Sequence, residues 1–243
     1  MMNPHFNLSQ ESGVAFENRL LAALPREEYE RLSSYLEPVK LPPGKIVYNA
    51  GEFIRHAYFP RSGQLSLLSM TERGRTIEVG MIGNEGVAGV SLILGSDALQ
   101  YQVMVQITAS ALRLKKDVLR VEFRRGGRLQ DLLLSYTNTV INQIAQSAAC
   151  NRFHTVEERL CRWLLVCHDR VRGDTIPLTQ EFLSHMLGVP RSSVTAVAGA
   201  LQQKRLINYS RGKIHLLDRA RLEMASCECY RLIRDEFKNF LIA

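Results

Sequence analysis

The sequence predicts an α+β fold, all-β before about residue 128 and largely helical after it. Three observations carry this. Turn signals recur through the first half, at Pro42-Pro43-Gly44, Ala50-Gly51, Ser62-Gly63, Arg73-Gly74, Gly83-Asn84 and Gly95-Ser96, with short β-prone runs between them. After Arg128 the apolar residues take up helical spacing. Near the end, two short helical patterns meet at Gly188-Val189, and two β-prone runs follow them.

The β-prone runs are Ile46–Tyr48, Ala57–Phe59, Gln64–Leu68, Thr76–Val79, Tyr101–Gln106 and Ala111–Leu114. Strands at this interval suggest a sandwich or barrel. A helix over Asn18–Glu37 is expected to precede them. From Arg128, Leu133, Val140 and Ser147 recur every seven residues with Thr137 and Ile144 between them, the spacing of a short coiled-coil seam. The sequence therefore predicts a dimer seam of Leu133, Thr137, Val140, Ile144 and Ser147. Thr155-Val156-Glu157-Glu158 reads as a capping box, opening a helix with Leu160, Trp163, Leu164 and Cys167 on one face. That helix is expected to close near Arg172-Gly173, with Asp174–Pro177 as linker.

Thr179 can cap the next helix, whose apolar face is Phe182, Leu183, Met186 and Leu187. Gly188 permits a tight turn, and Pro190 suits the first turn of a second helix, Arg191–Lys204. This is the pattern of a helix-turn-helix. Arg191, Ser192, Ser193, Thr195 and Ala196 lie at its outer N-terminal end, short or hydrogen-bonding enough for base edges in a major groove. Leu206–Tyr209 and Lys213–Leu217 flank Ser210-Arg211-Gly212 as a hairpin with a basic tip, the wing of a winged helix.

Charge agrees with this. The 243 residues carry 31 Lys+Arg and 24 Asp+Glu, a net of +7. Between Pro190 and Arg221 stand Arg191, Lys204, Arg205, Arg211, Lys213, Arg219 and Arg221 against Asp218 alone, so +6 of that charge lies in one segment. A local cluster of this kind suits a phosphate backbone. Hydrophobic residues at 46% and charged residues at 23% exclude disorder, collagen and a disulfide-dense miniprotein.

Met1–Gly13 is polar, without the apolar core of a secretion signal. The longest uncharged run, Leu132–Asn151, is interrupted by eight polar side chains between its ends and does not suit lipid. A cytoplasmic chain without membrane contact is expected. The five cysteines, Cys150, Cys161, Cys167, Cys227 and Cys229, are read as packing or surface thiols. Cys227-x-Cys229 is a weak metal signal, and no metal site is assigned.

From about Phe16 to Asp218 the chain resembles regulators of the Crp/Fnr superfamily. The most specific stretches are Leu187-Gly188-Val189-Pro190-Arg191-Ser192-Ser193-Val194 and Leu206–Ile214. Gly83-Asn84-Glu85-Gly86-Val87-Ala88-Gly89 falls where the family has its phosphate-binding cassette. The resemblance implies four parts. They are an antiparallel, jelly-roll-like β-roll sensor domain over 16–127, a dimerisation helix over 128–154, a winged helix-turn-helix over 155–221 and a helical tail over 222–243. It implies a homodimeric transcriptional regulator on palindromic double-stranded DNA, with RNA polymerase as a further partner and no catalytic residue. Thr179, Gln180, Arg191, Ser192, Ser193, Thr195, Ala196, Arg211 and Lys213 are the expected DNA contacts.

The sequence departs from the family in two places. Cyclic-AMP-binding members place a Glu on the ribose and an Arg on the cyclic phosphate. Here Val87 takes the Glu position, and Tyr101 and Gln102 take the Arg and Ser/Thr positions. An effector pocket would comprise Gly86, Val87, Ala88, Gly89, Tyr101 and Gln102, without the usual cyclic-AMP contacts. In the second helix, Ser192 and Ala196 replace the Glu and second Arg that accompany the Arg191 position in readers of TGTGA, which implies a different half-site. No cysteine precedes Cys150, and the six histidines are scattered, so neither the family's N-terminal iron–sulfur group nor haem is expected. Two other readings are a metal-dependent cupin-type enzyme and a winged helix that contacts protein rather than DNA. His56 is the only histidine between Pro42 and Arg128, which disfavours the first.

Overall fold

A computed structural model describes residues 18–171 and 173–241. The polar start Met1–Gly13, the domain boundary at Phe16 and Arg172 lie outside the described residues.

The single helix expected over Asn18–Glu37 is two. Asn18 caps α1 (Arg19–Ala22) by accepting from Leu21 N at 3.0 Å. Pro25 then interrupts, because its ring keeps the preceding residue out of helical conformation, and α2 (Arg26–Ser33) starts behind it. Glu37 already belongs to a strand, β1 (Glu37–Leu41), which the sequence pattern missed. Pro38 is tolerated there because β1 is an edge strand.

β2 (Ile46–Tyr48), β3 (His56–Met70), β4 (Thr76–Ile82) and β5 (Gln102–Lys115) complete an antiparallel sheet of order β1-β5-β3-β4, with β2 also on β5. Two long strands replace four short ones: Ala57–Phe59 and Gln64–Leu68 are continuous in β3, and Tyr101–Gln106 and Ala111–Leu114 lie along β5, Tyr101 itself just before it. Ser62-Gly63 is not a turn. The β3–β5 register slips there, and Gly63, at φ +77°, has Thr108 O where a Cβ would lie, 2.2 Å away. Glycine serves a bulge that bends the long strand, and the bend lets the sheet curl over Phe59, Leu65, Leu67, Val103, Val105 and Leu114.

α3 (Lys116–Arg124) leads into α4 (Arg128–Phe153), 26 residues and about 39 Å long. The Glu28 carboxylate accepts from Arg128 N at 3.0 Å and Leu129 N at 2.8 Å, satisfying donors that the helix start leaves open. The expected dimer seam is corrected here. Leu133, Thr137, Val140 and Ser147 are buried within the single chain; Leu133 and Val140 belong to the β-roll core, and the half-buried Ile144 packs against it. The adjacent stripe Leu134, Asn138, Ile141, Ala145 and Ala148 repeats the same four-three spacing and is exposed. Heptad arithmetic fits both stripes equally, and the one with more apolar volume has been taken by the chain's own roll.

α5 (Val156–His168) opens with both halves of the expected capping box, Thr155 and Glu158, and ends four residues before Arg172. The expected linker is a strand, β6 (Thr175–Pro177). It pairs with β8 (Lys213–Leu216), which pairs with β7 (Ile207–Ser210). α6 (Gln180–Leu187) and α7 (Arg191–Gln203) lie between β6 and β7, and α8 (Arg219–Ala225) and α9 (Cys229–Asn239) follow. A boundary at 221/222 would fall inside α8. α9 is no free tail: Ile233, Phe237 and Phe240 enter the core of the β-roll.

The two halves meet through buried polar contacts. Trp163 Nε1 donates to Glu78 Oε1 at 2.9 Å, and Arg170 Nη2 pairs with Glu85 Oε1 at 2.5 Å with side chains only 8% and 6% exposed. Burial pushes the Glu78 carboxyl up to about 7, against the opposing pull of the Ser66 hydrogen bond, Arg162 and Trp163. A carboxyl whose folded pKa is raised stabilises the fold below its unfolded pKa and loses that contribution as pH rises. Between pH 4.5 and about 7 the unfolding free energy should therefore fall by about 3 kcal/mol through this group. Denaturant titrations across this range should show the decline in the wild-type protein and its absence in Glu78→Gln.

Candidate nucleic-acid interface

Two helices and a hairpin build one surface. Thr179 Oγ1 accepts from Phe182 N at 3.1 Å and starts α6. Gly188, at φ +63°, ends it, with Val189 N bonded back to Ser184 O at 3.1 Å. The buried Arg159 donates to Leu187 O, so α5 holds the turn from beneath. Pro190 stands just ahead of α7 rather than within it. Val194, Ala198 and Leu201 bury the inner face of α7 and leave Arg191, Ser192, Thr195 and Ala196 exposed and Ser193 half-buried.

The wing turns at Arg211 and Gly212, at φ +49° and +70°, the paired positive values of a tight two-residue hairpin. Leu178 N donates to Gly212 O at 2.8 Å, pinning the wing tip to the start of α6. The Thr195 hydroxyl stands 2.7 Å from Gln180 Oε1 and 3.0 Å from Arg191 O, so both helices present their polar ends together. Burial raises the Tyr209 hydroxyl pKa, and the charge of Arg191 lowers it. The nine residues expected at DNA thus fall on the two helix starts and the wing. Tyr209, half-buried on the first wing strand, lies in the same hairpin.

The charge of this segment is smaller at the surface than in the sequence. Lys204 is paired with Glu157 at 2.5 Å, and Arg219 with Asp169 at 2.6 Å and Glu223 at 3.2 Å. Arg191, Arg205, Arg211, Lys213 and Arg221 are exposed and make no ion pair among the described residues.

The cassette residues lie together in a closed arrangement. Gly86 O accepts from Asn18, and Val87 and Ala88 are buried. Tyr48 donates to Ala88 O at 3.1 Å, and Ala88 pairs with Tyr58 as an isolated bridge. The Tyr136 ring of α4 presses on Gly86 so closely that a Cβ there would lie 2.1 Å from Cζ. Burial pushes the Tyr101 hydroxyl up to about 12, and Gln102 donates to Asn49 at 3.2 Å. Arg170, next to this strap, is taken by Glu85. No side chain of the six offers a cyclic phosphate a positive charge.

The sequence reads the cysteines as packing or surface thiols. All five are buried. Cys161 and Cys167 pack in the core of the second half, where burial pushes the Cys161 thiol up to about 12. Cys150, Cys227 and Cys229 converge with His154 into a group of four potential metal ligands, although no metal was expected. Sequence spacing could not show this, since 77 residues separate Cys150 from Cys227. This is the only such group among the described residues, and it lies outside the β-roll where a cupin-type metal would sit.

Comparison with known proteins agrees with this architecture. Residues 158–225 match the Crp-like helix-turn-helix domain, and residues 38–125 match the cyclic nucleotide-binding domain. The chain belongs to the Crp/Fnr superfamily. It is a transcriptional regulator with a helix-turn-helix DNA-binding domain. It is 25% identical over 181 residues to the global nitrogen regulator of Nostoc sp., covering 70% of this chain and 80% of that one. Its fold resembles a crp/fnr-family regulator from Eubacterium rectale, with a TM-score of 0.69 at 18% identity over 86% of this chain and 98% of that one. It also resembles FixK2 from Bradyrhizobium japonicum, with a TM-score of 0.68 at 15% identity over 79% and 98%. No helix of this regulator is long and apolar enough, among the described residues, to cross a membrane.

Within this Crp/Fnr regulator, Arg191 and Lys213 should behave differently on DNA. Arg191→Ala should cost about 1–3 kcal/mol on the preferred site and relax preference at one base pair. Lys213→Ala should weaken binding equally on specific and random duplexes and lower the salt slope by about 1. Fluorescence anisotropy at several salt concentrations reads both.

Proposed function

We propose that this regulator acts as a homodimer in the cytoplasm. In this reading α7 enters successive major grooves of a palindromic site, the wing rests on phosphate, and RNA polymerase is a partner by family resemblance. The observation that carries the reading is the joined surface of Gln180, Arg191, Thr195, Arg211 and Lys213, held together by the Thr195–Gln180 contact and the Leu178–Gly212 bond. Arg191 supplies a guanidinium for guanine O6 and N7, while Ser192 and Ala196 make the half-site differ from TGTGA. No catalytic role is assigned to any residue. Selection of bound sequences from random duplex DNA tests the reading: a two-fold symmetric motif supports it, and a salt slope near zero would sink it.

The partner proposed for α4 is a second copy of this chain. Leu134 is 47% and Ile141 58% exposed, one heptad apart on α4. With Leu134 and Ile141 at d positions, Asn138 and Ala145 take the a positions. A single Asn at such a position fixes register and favours two strands. The dimer aligns the two reading heads, as palindromic sites require.

The β-roll is proposed not to bind cyclic AMP in the usual way, because Val87, Tyr101 and Gln102 provide neither the carboxylate nor the cation and Tyr136 lies against Gly86. Cyclic AMP should leave the melting temperature unchanged. Leu134→Asp with Ile141→Asp should yield monomers by sedimentation and lose on the order of a hundredfold in affinity for the palindrome. Val140→Asp, buried in the β-roll core, should instead lower the melting temperature sharply.

A further inference from the structure

Cys150 and His154 stand one turn apart at the C-terminal end of α4. Cys227 and Cys229 flank the start of α9. The fold brings these four side chains together so that their Sγ and imidazole nitrogen atoms all lie within 4.8 Å of one another. Cys150 Sγ is 3.6 Å from Cys227 Sγ, and Cys229 Sγ is 3.6 Å from His154 Nδ1.

These are the edges of a coordination tetrahedron. Zinc–sulfur bonds of about 2.3 Å and zinc–nitrogen bonds of about 2.0 Å at tetrahedral angles give edges of about 3.8 Å and 3.5 Å. A disulfide would need its sulfurs at about 2.05 Å. A polynuclear iron–sulfur cluster interposes its own atoms and spreads its ligands further apart than this group allows. The geometry points to a mononuclear Cys3His site for one zinc-class divalent ion, closing the joint between α4 and α5 onto the start of α9.

The surroundings support the assignment independently of the ligand set. His154 turns Nδ1 inward, and its Nε2 lies 3.3 Å from the Glu228 carboxylate. That is the outer partner which orients a metal-bound imidazole. Gln146 Nε2 donates to Cys229 Sγ at 3.0 Å. The three cysteines are buried, at 4% exposure or less, and four protein ligands leave no open position, the mark of a structural rather than a catalytic site. One divalent ion with three thiolates carries a net −1. The buried guanidinium groups of Arg159 and Arg162 stand within electrostatic reach of Cys150, and the Nε atom of each lacks a hydrogen-bond partner among the described residues.

The ion fastens the start of α9 to the proposed dimer helix. Its effect on DNA rests on the reading of α4 and α7 given above, but its presence does not. The test therefore begins with metal. Full-length protein, reduced and kept free of oxygen, is assayed for zinc and then titrated with Co(II) after zinc removal. One zinc per chain, and a strong tetrahedral thiolate–cobalt absorption saturating at one equivalent, are expected. Glu228→Gln, an exposed substitution that keeps all four ligands, should weaken cobalt binding by about 10–100-fold. Cys229→Ser should abolish the tetrahedral spectrum, and Cys161→Ser, outside the group, should preserve it. Absence of metal and of the cobalt spectrum in wild-type protein overturns the assignment. So does a Cys150–Cys227 disulfide, or iron accompanied by inorganic sulfide. Loss of DNA binding with full metal content bears on the DNA reading alone.

Discussion

The seating of Tyr136 against Gly86 is the contact on which the rest of the molecule depends. Tyr136 is fully buried where α4 crosses the strap at Gly83–Gly89. Its ring lies 6.3 Å from Phe237 and 5.6 Å from Phe240, which places α9 over α4. Gly86 in turn accepts through its carbonyl from Asn18, the cap of α1. One aromatic side chain therefore couples the N-terminal helix, the strap, the long helix and the C-terminal helix. Once α9 is drawn in, its first residue comes level with the last turn of α4. Cys227 and Cys229 meet Cys150 and His154 as a consequence of that packing.

The same contact decides which faces of α4 remain. One stripe goes to the β-roll through Leu133, Val140 and Ile144, and a second to α9. The stripe of Leu134, Asn138 and Ile141 stays exposed. A helix with so few charges can satisfy three neighbours because none of its stripes is polar enough to insist on water.

How much of this the sequence disclosed depended on the range of each interaction. Local signals were legible. The Thr155–Glu158 capping box, the Thr179 cap, the Gly188 turn and the Arg211-Gly212 hairpin all formed, since each is settled within about four residues. Non-local choices were not legible. Ser62-Gly63 reads as a turn until Thr108 is known to lie behind it. The five seam residues and the exposed stripe share one periodicity, and only the position of the roll separates them. The net +6 counted between Pro190 and Arg221 ignored Glu157 and Asp169, which lie outside the segment and neutralise Lys204 and Arg219. The surviving cations are those of α7 and the wing with Arg205 and Arg221, so the surface is less charged yet more concentrated at the reading head.

Control of such a molecule requires a ligand with different affinities for two arrangements. A ligand entering the strap must displace Tyr136 from a fully buried site. Truncating a buried aromatic costs on the order of 3 kcal/mol, so the open form starts about a hundredfold disfavoured, and the ligand's apparent affinity falls by that factor. The junction between the halves is held by other contacts. Glu78 and Glu85 reach from the roll to Trp163 and Arg170, and Ile77 rests against the helix-turn-helix at Gly188. These contacts join the roll to the helix-turn-helix half without passing through the strap.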